Sequence, residues 1–420
     1  MFCYLEKTNV YLQARNKHDN MEIEDLYTNS DRLIANVSTD YKRALYEKIN
    51  WSNRMVCIRG ARGVGKTTLL KQYLKTHYLG NHEGLYVSLD DFWFTTNRLI
   101  DVADYHYLHG GKLLCVDEVH HYPFSTWSIE LKNIYDRYPD MQVYFTGSSM
   151  LQMDNSMADL SRRCVFYNLQ GLSFREYLQL NGVATIEAID LPTLLTNHLQ
   201  IALQVTQGLR ILPHFTDYLQ RGYYPFYKEV GESYFTVLQQ VAANIIEVDV
   251  PSVEKVEYVT LKKMKRLLAL IAQLVPFSVN MNELSKSLET SRQSVLKMLS
   301  LLRQAALVNL LYKGKNTLGQ LNKPEKVYLE NTNLMYALSP RADIGNIRET
   351  FFANQLMRGH EVAFGEHGDF MIDSKYVFEV GGKNKKFDQI KGVDNSYLAI
   401  DDIETGVGNK IPLWMFGLLG

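Results

Sequence analysis

The chain has 420 residues, 46% of them apolar and 22% charged, with 45 Lys and Arg against 46 Asp and Glu. That is the composition of an ordinary soluble globular protein, long enough for roughly two to four domains. No stretch approaches the roughly eighteen apolar residues of a membrane span, and the four cysteines, Cys3, Cys57, Cys115 and Cys164, form no C-x-x-C pair and no zinc spacing, which excludes a disulfide framework.

Residues 1–30 are polar and aperiodic and read as a lead-in. Met1-Phe2-Cys3-Tyr4-Leu5-Glu6 has no basic region followed by an apolar core, so no signal peptide is expected and the chain is assigned to the cytoplasm. From Asp31 to Trp51, Leu33, Ile34, Val37, Tyr41, Leu45 and Ile49 recur at helical spacing and predict one helix.

Residues 60–67 read Gly60-Ala61-Arg62-Gly63-Val64-Gly65-Lys66-Thr67, a complete G-x-x-x-x-G-K-[ST] loop between an apolar strand, Met55 to Ile58, and a helix beginning Thr68-Leu69-Leu70. Glycines let successive N–H groups point at phosphate oxygens, and the helix N-terminus adds partial positive charge. Gly60, Arg62, Gly63, Val64, Gly65, Lys66, Thr67 and Thr68 are the candidate ATP-binding residues. Lys66 would reach the β- and γ-phosphates, and the Thr67 hydroxyl would bind Mg²⁺.

A strand over Leu85–Leu89 ends in Asp90-Asp91, and a second, Lys112 to Val116, ends in Asp117-Glu118. Asp117 is assigned to the Mg²⁺ shell and Glu118 to polarising the attacking water. One strand inserted between the two nucleotide motifs marks the P-loop branch that uses a catalytic glutamate. A third strand, Gln142 to Gly147, ends in Ser148-Ser149, where Ser148 could contact the γ-phosphate or the water. Arg162 and Arg163 follow in Asp159-Leu160-Ser161-Arg162-Arg163, just before a strand over Val165–Leu169. Arg163 reads either as an arginine finger or sensor that neutralises charge on the γ-phosphate, or as part of a solvated surface pair. These elements make residues 31–172 an α/β nucleotide core.

Residues 173–255 are predicted helical, opening on a capping box between Ser173 and Glu176 and broken at Gly222-Tyr223-Tyr224-Pro225. Residues 256–345 suggest a winged helix: helices over Leu261–Gln273, Asn280–Leu288 and Arg292 to about Ala306, then strands over Val308–Tyr312 and Lys326–Leu329. Between Lys255 and Lys315 eleven Lys and Arg face three Glu and no Asp, a surplus that can favour nucleic acid. In a DNA-reading version Arg292, Gln293 and Lys297 would face the major groove, with Lys313 and Lys315 on the backbone; in the other version the module is a spacer or protein contact. Residues 346–420 are acidic by comparison, eight basic against eleven acidic, and read as a small α/β unit. It has a helix from Glu349 to Met357 with Phe351, Phe352 and Leu356 on its apolar face, paired strands over Gly368–Ile372 and Tyr376–Val380, and a final apolar run holding Trp414 and Phe416.

Gly63-Val64-Gly65-Lys66-Thr67-Thr68-Leu69-Leu70, Val116-Asp117-Glu118-Val119-His120, Phe145-Thr146-Gly147-Ser148-Ser149 and Leu172-Ser173-Phe174-Arg175-Glu176-Tyr177 together resemble bacterial and archaeal AAA-type P-loop ATPases that carry a winged helix and a C-terminal domain of the restriction-endonuclease-like PD-(D/E)xK fold. The resemblance implies a parallel sheet with a helical lid over 173–255, and ATP and Mg²⁺ as cofactors. In the C-terminal domain it implies Glu349, Asp369 and Glu379 around a metal ion. The lysine of E-x-K is not where that fold needs it: Glu379-Val380-Gly381 has glycine there, and Lys383 lies two residues on. A domain that kept its carboxylates and lost its chemistry is the expectation. Three functions compete: an ATP-hydrolysing switch or motor acting on double-stranded DNA, an Mg²⁺-dependent nuclease regulated by ATP, and a signalling ATPase whose C-terminal domain binds a protein partner. Assembly into a homo-oligomer is compatible with each.

Overall fold

The computed structural model describes residues 22–124, 126–148, 160–273, 277–278, 280–314, 323–339 and 341–420. The lead-in to residue 21, Ser149, Asp159 and Lys315 lie outside the described residues. Two compact units divide the chain. Described residues 22–59, 66–147 and 160–167 form one, and residues 60–65, 148 and 168–420 the other.

The first unit is built on a five-stranded sheet. Its strands are β1 (Met55–Arg59), β2 (Gly84–Ser88), β3 (Leu113–Asp117), β4 (Gln142–Gly147) and β5 (Val165–Asn168), in spatial order β2-β3-β4-β1-β5. The pairings β2–β3, β3–β4 and β4–β1 are parallel. A parallel sheet is covered by helices on both faces, so its strands are continuously apolar rather than alternating. Met55, Val56, Cys57 and Ile58 are accordingly fully buried, as are Leu113 to Val116. Each such side chain contributes about 1.5–3 kcal/mol of transfer free energy. The strand that lies between β1 and β3 in the sheet is β4. The strand that intervenes in sequence, β2, is at the edge.

The single helix expected over Asp31–Trp51 is two. One runs Ile23–Ala35, beginning inside the expected lead-in, and the next is the short Ala44–Lys48. The break has a hydrogen-bonding cause. Asp40 N–H donates to Ser38 Oγ at 3.2 Å, and the Ser38 and Tyr41 carbonyls accept from Gln72 Nε2, each at 2.8 Å. Gln72 thereby holds the connecting segment in its non-helical course, and Ser and Asp side chains offer the backbone local alternatives to a helix.

In the second unit, helices run Phe174–Leu180, Leu191–Thr206, Ile211–Arg221, Tyr227–Val230 and Tyr234–Asn244, followed by a π-turn at Ile245–Asp249. Ser173 Oγ accepts from Glu176 N–H at 3.1 Å and Glu176 Oε2 accepts from Ser173 N–H at 3.0 Å, the predicted capping box. Helices Tyr258–Gln273, Met281–Ser287 and Arg292–Gln304 precede a three-stranded antiparallel sheet. It is formed by β6 (Phe277–Ser278), β7 (Val308–Leu311) and β8 (Lys326–Leu329) in order β6-β8-β7. Strand β6 was not expected from the sequence.

A further helix, Thr332–Leu338, is anchored by Asn333, which is fully buried. Its Oδ1 accepts from Tyr223 N–H at 2.9 Å and Tyr234 Oη at 2.6 Å, and its Nδ2 donates to the Tyr218 and Leu219 carbonyls at 3.1 and 3.0 Å. The C-terminal part is a mixed sheet of β9 (Val362–Phe364), β10 (Phe370–Ile372), β11 (Tyr376–Gly381), β12 (Ser396–Ile400) and β13 (Lys410–Pro412), in order β13-β12-β11-β10-β9. β9–β10–β11 pair antiparallel and β11–β12–β13 parallel. The helix Ile344–Leu356 packs on this sheet through Phe352, whose ring centroid lies 5.0 Å from those of Phe370 and Phe378 and 4.8 Å from that of Phe416.

Candidate nucleotide-binding site

The helix that follows the glycine-rich loop begins at Lys66 and runs to His77. Thr67, in its first turn, donates from Oγ1 to Asp117 Oδ2 at 2.6 Å. Asp117 is the last residue of β3 and is almost fully buried. The Tyr86 hydroxyl donates to the same Oδ2 at 2.7 Å, and the Thr146 hydroxyl donates to Oδ1. Burial, then the Asp117 carboxylate beside it, push the Tyr86 hydroxyl far above its usual pKa, so Tyr86 acts only as a neutral donor.

Glu118 follows with a left-handed backbone, φ 52°, an uncommon conformation for a residue with a side chain and one that clusters at functional sites. Its N–H donates to Thr146 Oγ1 at 3.1 Å. Thr146 therefore braces both acidic residues from the neighbouring strand. Sequence reasoning gave the polar role at the end of β4 to Ser148 and missed Thr146. Its role follows from parallel pairing, in which β3 and β4 run side by side to the same end. Ser148 is buried and belongs to the second unit.

The Glu118 carboxylate lies 3.3 Å from His120 Nε2. Glu118, His120 and His121 bring their ligand atoms within 4.8 Å of one another, a group that no spacing rule had flagged because two of its members are adjacent. Arg163 is not gathered with Thr67 and Asp117. Its Nε and Nη2 donate to the two carboxylate oxygens of Asp136 at 2.8 and 2.9 Å.

In the second unit, the loop itself has the backbone a phosphate cradle needs. Gly63 has φ 85° and Gly65 φ 100°, which side-chain-bearing residues rarely adopt. Gly60 has no room for a side chain, because a Cβ there would stand 2.1 Å from the Leu169 carbonyl oxygen. A Cβ on Gly63 would meet the Phe226 ring at 2.7 Å, so the segment that breaks the helices after Gly222 lies against the loop. Val64 is fully buried, and the Arg62 guanidinium lies 4.0 Å from Asp249 in the π-turn. In the first unit Lys66 is buried, whereas Thr68 is exposed. In the first unit the hydroxyl of Thr67 and the carboxylate of Asp117 are a donor pair that fits a hard divalent cation; in the second unit the loop conformation by itself fits a phosphate group.

The residues expected to touch DNA are mostly engaged within the protein. Lys297 Nζ is 2.5 Å from Glu254, Lys313 Nζ is 2.8 Å from Glu366, and Arg292 donates to Asn282. In the C-terminal sheet, the structure does bring Glu349, Asp369 and Glu379 together, but with lysines that sequence reasoning did not choose. Lys326 bridges Glu349 and Asp369, and Lys385, rather than Lys383, pairs with Glu379. Among the described residues no helix is long and apolar enough to cross a membrane.

Residues 52–178 match the family model described as AAA domain, and residues 212–344 match a domain of unknown function, DUF8612. The AAA-domain match thus falls on the α/β unit with the five-stranded sheet. The second match crosses the boundary expected at residue 255, running from the helix at Ile211 through the strands β6–β8. An uncharacterised protein of Methanocaldococcus jannaschii is 26% identical over 375 residues, 81% of this chain and 78% of that protein. Among solved structures, the Aeropyrum pernix ORC1 protein in complex with DNA is 12% identical, with TM-score 0.31, over 74% of this chain and 92% of that one. AMPPCP-bound DnaA from Aquifex aeolicus is 15% identical, with TM-score 0.28, over 67% and 89%.

Proposed function

We propose that this protein is an ATPase whose AAA domain binds ATP with Mg²⁺ and hydrolyses it as a nucleotide-driven switch or motor. The observation that carries this reading is the hydrogen-bonded series Thr67–Asp117–Thr146–Glu118, which fixes a first-turn hydroxyl, the buried carboxylate that ends β3 and the backbone of Glu118 just after it. The loop amides of residues 60–65 and the Lys66 ammonium would hold the phosphates. Thr67 and Asp117 would hold Mg²⁺, which supplies charge neutralisation at the β- and γ-oxygens. Glu118 accepts the proton of the attacking water, its backbone fixed by Thr146. Ser148 contacts the γ-phosphate or the water. Arg163 acts as a finger only after leaving Asp136, which a neighbouring copy in a homo-oligomer could bring about.

Residues 256–345 are read as a winged helix, supported by three helices and the β6-β8-β7 sheet. Its role is read as that of a spacer or protein contact, in keeping with the surface pairs Lys297–Glu254 and Lys313–Glu366. Residues 346–420 are read as a PD-(D/E)xK-like domain, supported by the mixed sheet and its three carboxylates.

ATP turnover by wild type, Lys66→Ala and Glu118→Gln tests the reading. Lys66→Ala should lose ATP binding, with phosphate charge left uncompensated. Glu118→Gln should keep ATP and turn it over about a hundredfold or more slowly, since an amide cannot accept the proton. No turnover by wild type, with or without double-stranded DNA, or a wild-type rate in Glu118→Gln, would overturn it.

A further inference from the structure

Glu349 on the helix Ile344–Leu356, Asp369 just before β10 and Glu379 on β11 converge as three largely buried carboxylates. Such a group usually awaits a divalent cation. Here the protein supplies its own cations. Lys326, the first residue of β8, places Nζ 2.9 Å from Glu349 Oε2 and 3.1 Å from Asp369 Oδ1. Neutral donors face the same carboxylates: the Tyr328 hydroxyl donates to Glu349 Oε2 at 2.5 Å, and Val380 N–H donates to Asp369 Oδ2 at 3.0 Å.

Glu379 has a separate partner. Lys385 folds back so that its stem lies over Gly381, where a Cβ would meet Lys385 Cγ at 2.7 Å, and its ammonium reaches Glu379 Oε1. The room left by the missing E-x-K lysine side chain is filled by a lysine from four positions later. The side-chain amide of Gln389 faces the same carboxylate.

A divalent cation bridging Glu349 and Asp369 would need oxygens at about 2.0–2.6 Å. The Lys326 ammonium occupies the space between them, and two cations cannot share it.

We propose that Lys326 takes the place of the divalent cation in the Glu349–Asp369–Glu379 group, making it a metal-free ion cluster closed to metal-dependent phosphodiester cleavage. The PD-(D/E)xK-like pattern and the residues present disagree, and the disagreement is specific to an ammonium delivered by β8. The inference stands on side chains outside the nucleotide site, so it does not depend on ATP hydrolysis.

The test uses full-length protein without nucleotide, carrying Asp117→Asn to silence Mn²⁺ binding at the other carboxylate. Bound Mn²⁺ is measured by electron paramagnetic resonance with and without Lys326→Ala, and again with Glu349→Gln added. Protein retaining Lys326 should hold no Mn²⁺ that Glu349→Gln removes, and should cleave neither duplex nor single-stranded DNA in Mg²⁺ or Mn²⁺. Lys326→Ala should gain one Mn²⁺, bound at least about tenfold more tightly, and lose it again with Glu349→Gln. Lys326→Met, which keeps the apolar stem, serves if the alanine variant does not fold. Glu349-dependent Mn²⁺ in the protein that retains Lys326, or no gain in a folded Lys326 variant, overturns the proposal. If neither Lys326 variant folds, the Lys326-containing protein alone decides by the first criterion.

Discussion

Thr67 donates its hydroxyl hydrogen bond to Asp117 Oδ2 at 2.6 Å, joining positions 50 residues apart in the chain. A first-turn hydroxyl and a strand-end carboxylate are thereby held in one place by the protein itself. Preorganisation of this kind lowers the reorganisation needed when a cation is bound. Asp117→Asn should raise the Mg²⁺ concentration for half-maximal ATP turnover at least about tenfold, and Thr67→Ser should leave it nearly unchanged because the hydroxyl remains. Mg²⁺ titrations of turnover at saturating ATP check both. Equal Mg²⁺ requirements in wild type and Asp117→Asn would remove Asp117 from the cation shell.

Thr146 is the residue that ties Asp117 to Glu118. Thr146→Val keeps the shape but leaves Glu118 N–H without its acceptor and Asp117 Oδ1 without a donor. The stability cost should be about 1–3 kcal/mol, the range for orphaning a buried polar group. Turnover should fall about tenfold with ATP affinity unchanged, the signature of a positioning residue rather than a binding one. Chemical denaturation and separate measurements of ATP Kd and kcat distinguish the two effects. A loss confined to Kd would place Thr146 in binding instead.

His106 should govern much of the acid sensitivity of the first unit. It is fully buried, with Nε2 3.1 Å from the Leu113 carbonyl and Nδ1 2.8 Å from the Tyr27 hydroxyl. Burial pulls its pKa from the usual 6.5 down to about 4. The unfolded chain therefore binds the proton more readily than the folded one. The stability is present above pH 6.5 and is lost as pH falls through about 4. Between pH 7.5 and pH 5 the loss from this residue should be about 2 kcal/mol. His106→Phe should flatten that slope, whatever it does to stability at neutral pH. An unchanged slope in urea titrations at the two pH values would count against His106.

Duplex DNA should not depend on the residues that the charge surplus pointed to. A phosphate contact by Lys297 or Lys313 would first require breaking the pair with Glu254 or Glu366. Lys297→Ala and Lys313→Ala should each change affinity for a duplex at low salt by less than about twofold, and the log–log salt slope by less than about one. Fluorescence anisotropy across a salt series measures both. A tenfold weakening would put these lysines on the phosphate backbone.

The phosphate loop and the Asp117-Glu118 pair were legible in the sequence because their chemistry is written in contiguous residues. The break after Ala35 was not, since the segment that follows is held by Gln72 from a distant part of the chain. Thr146 was overlooked because its role comes from strand pairing, which spacing along one strand does not reveal. At the C-terminal sheet the sequence singled out the three carboxylates but not the lysines that pair with them. Lys326 reaches them from β8, 23 positions before Glu349, and Lys385 reaches Glu379 by folding over a glycine. Local pattern identified which residue types were missing but not which distant ones replaced them.

Asn333 uses both lone pairs and both protons of its amide on four buried partners, drawn from residues 218 to 234. Apolar contacts are tolerant: a helix such as Thr332–Leu338 could slide or roll on a greasy surface and lose little. A saturated amide is not tolerant, because any other seating strands several polar atoms out of reach of water. Asn333 thus works as a checksum on assembly, rejecting near-miss packings of this helix that hydrophobic burial alone would accept.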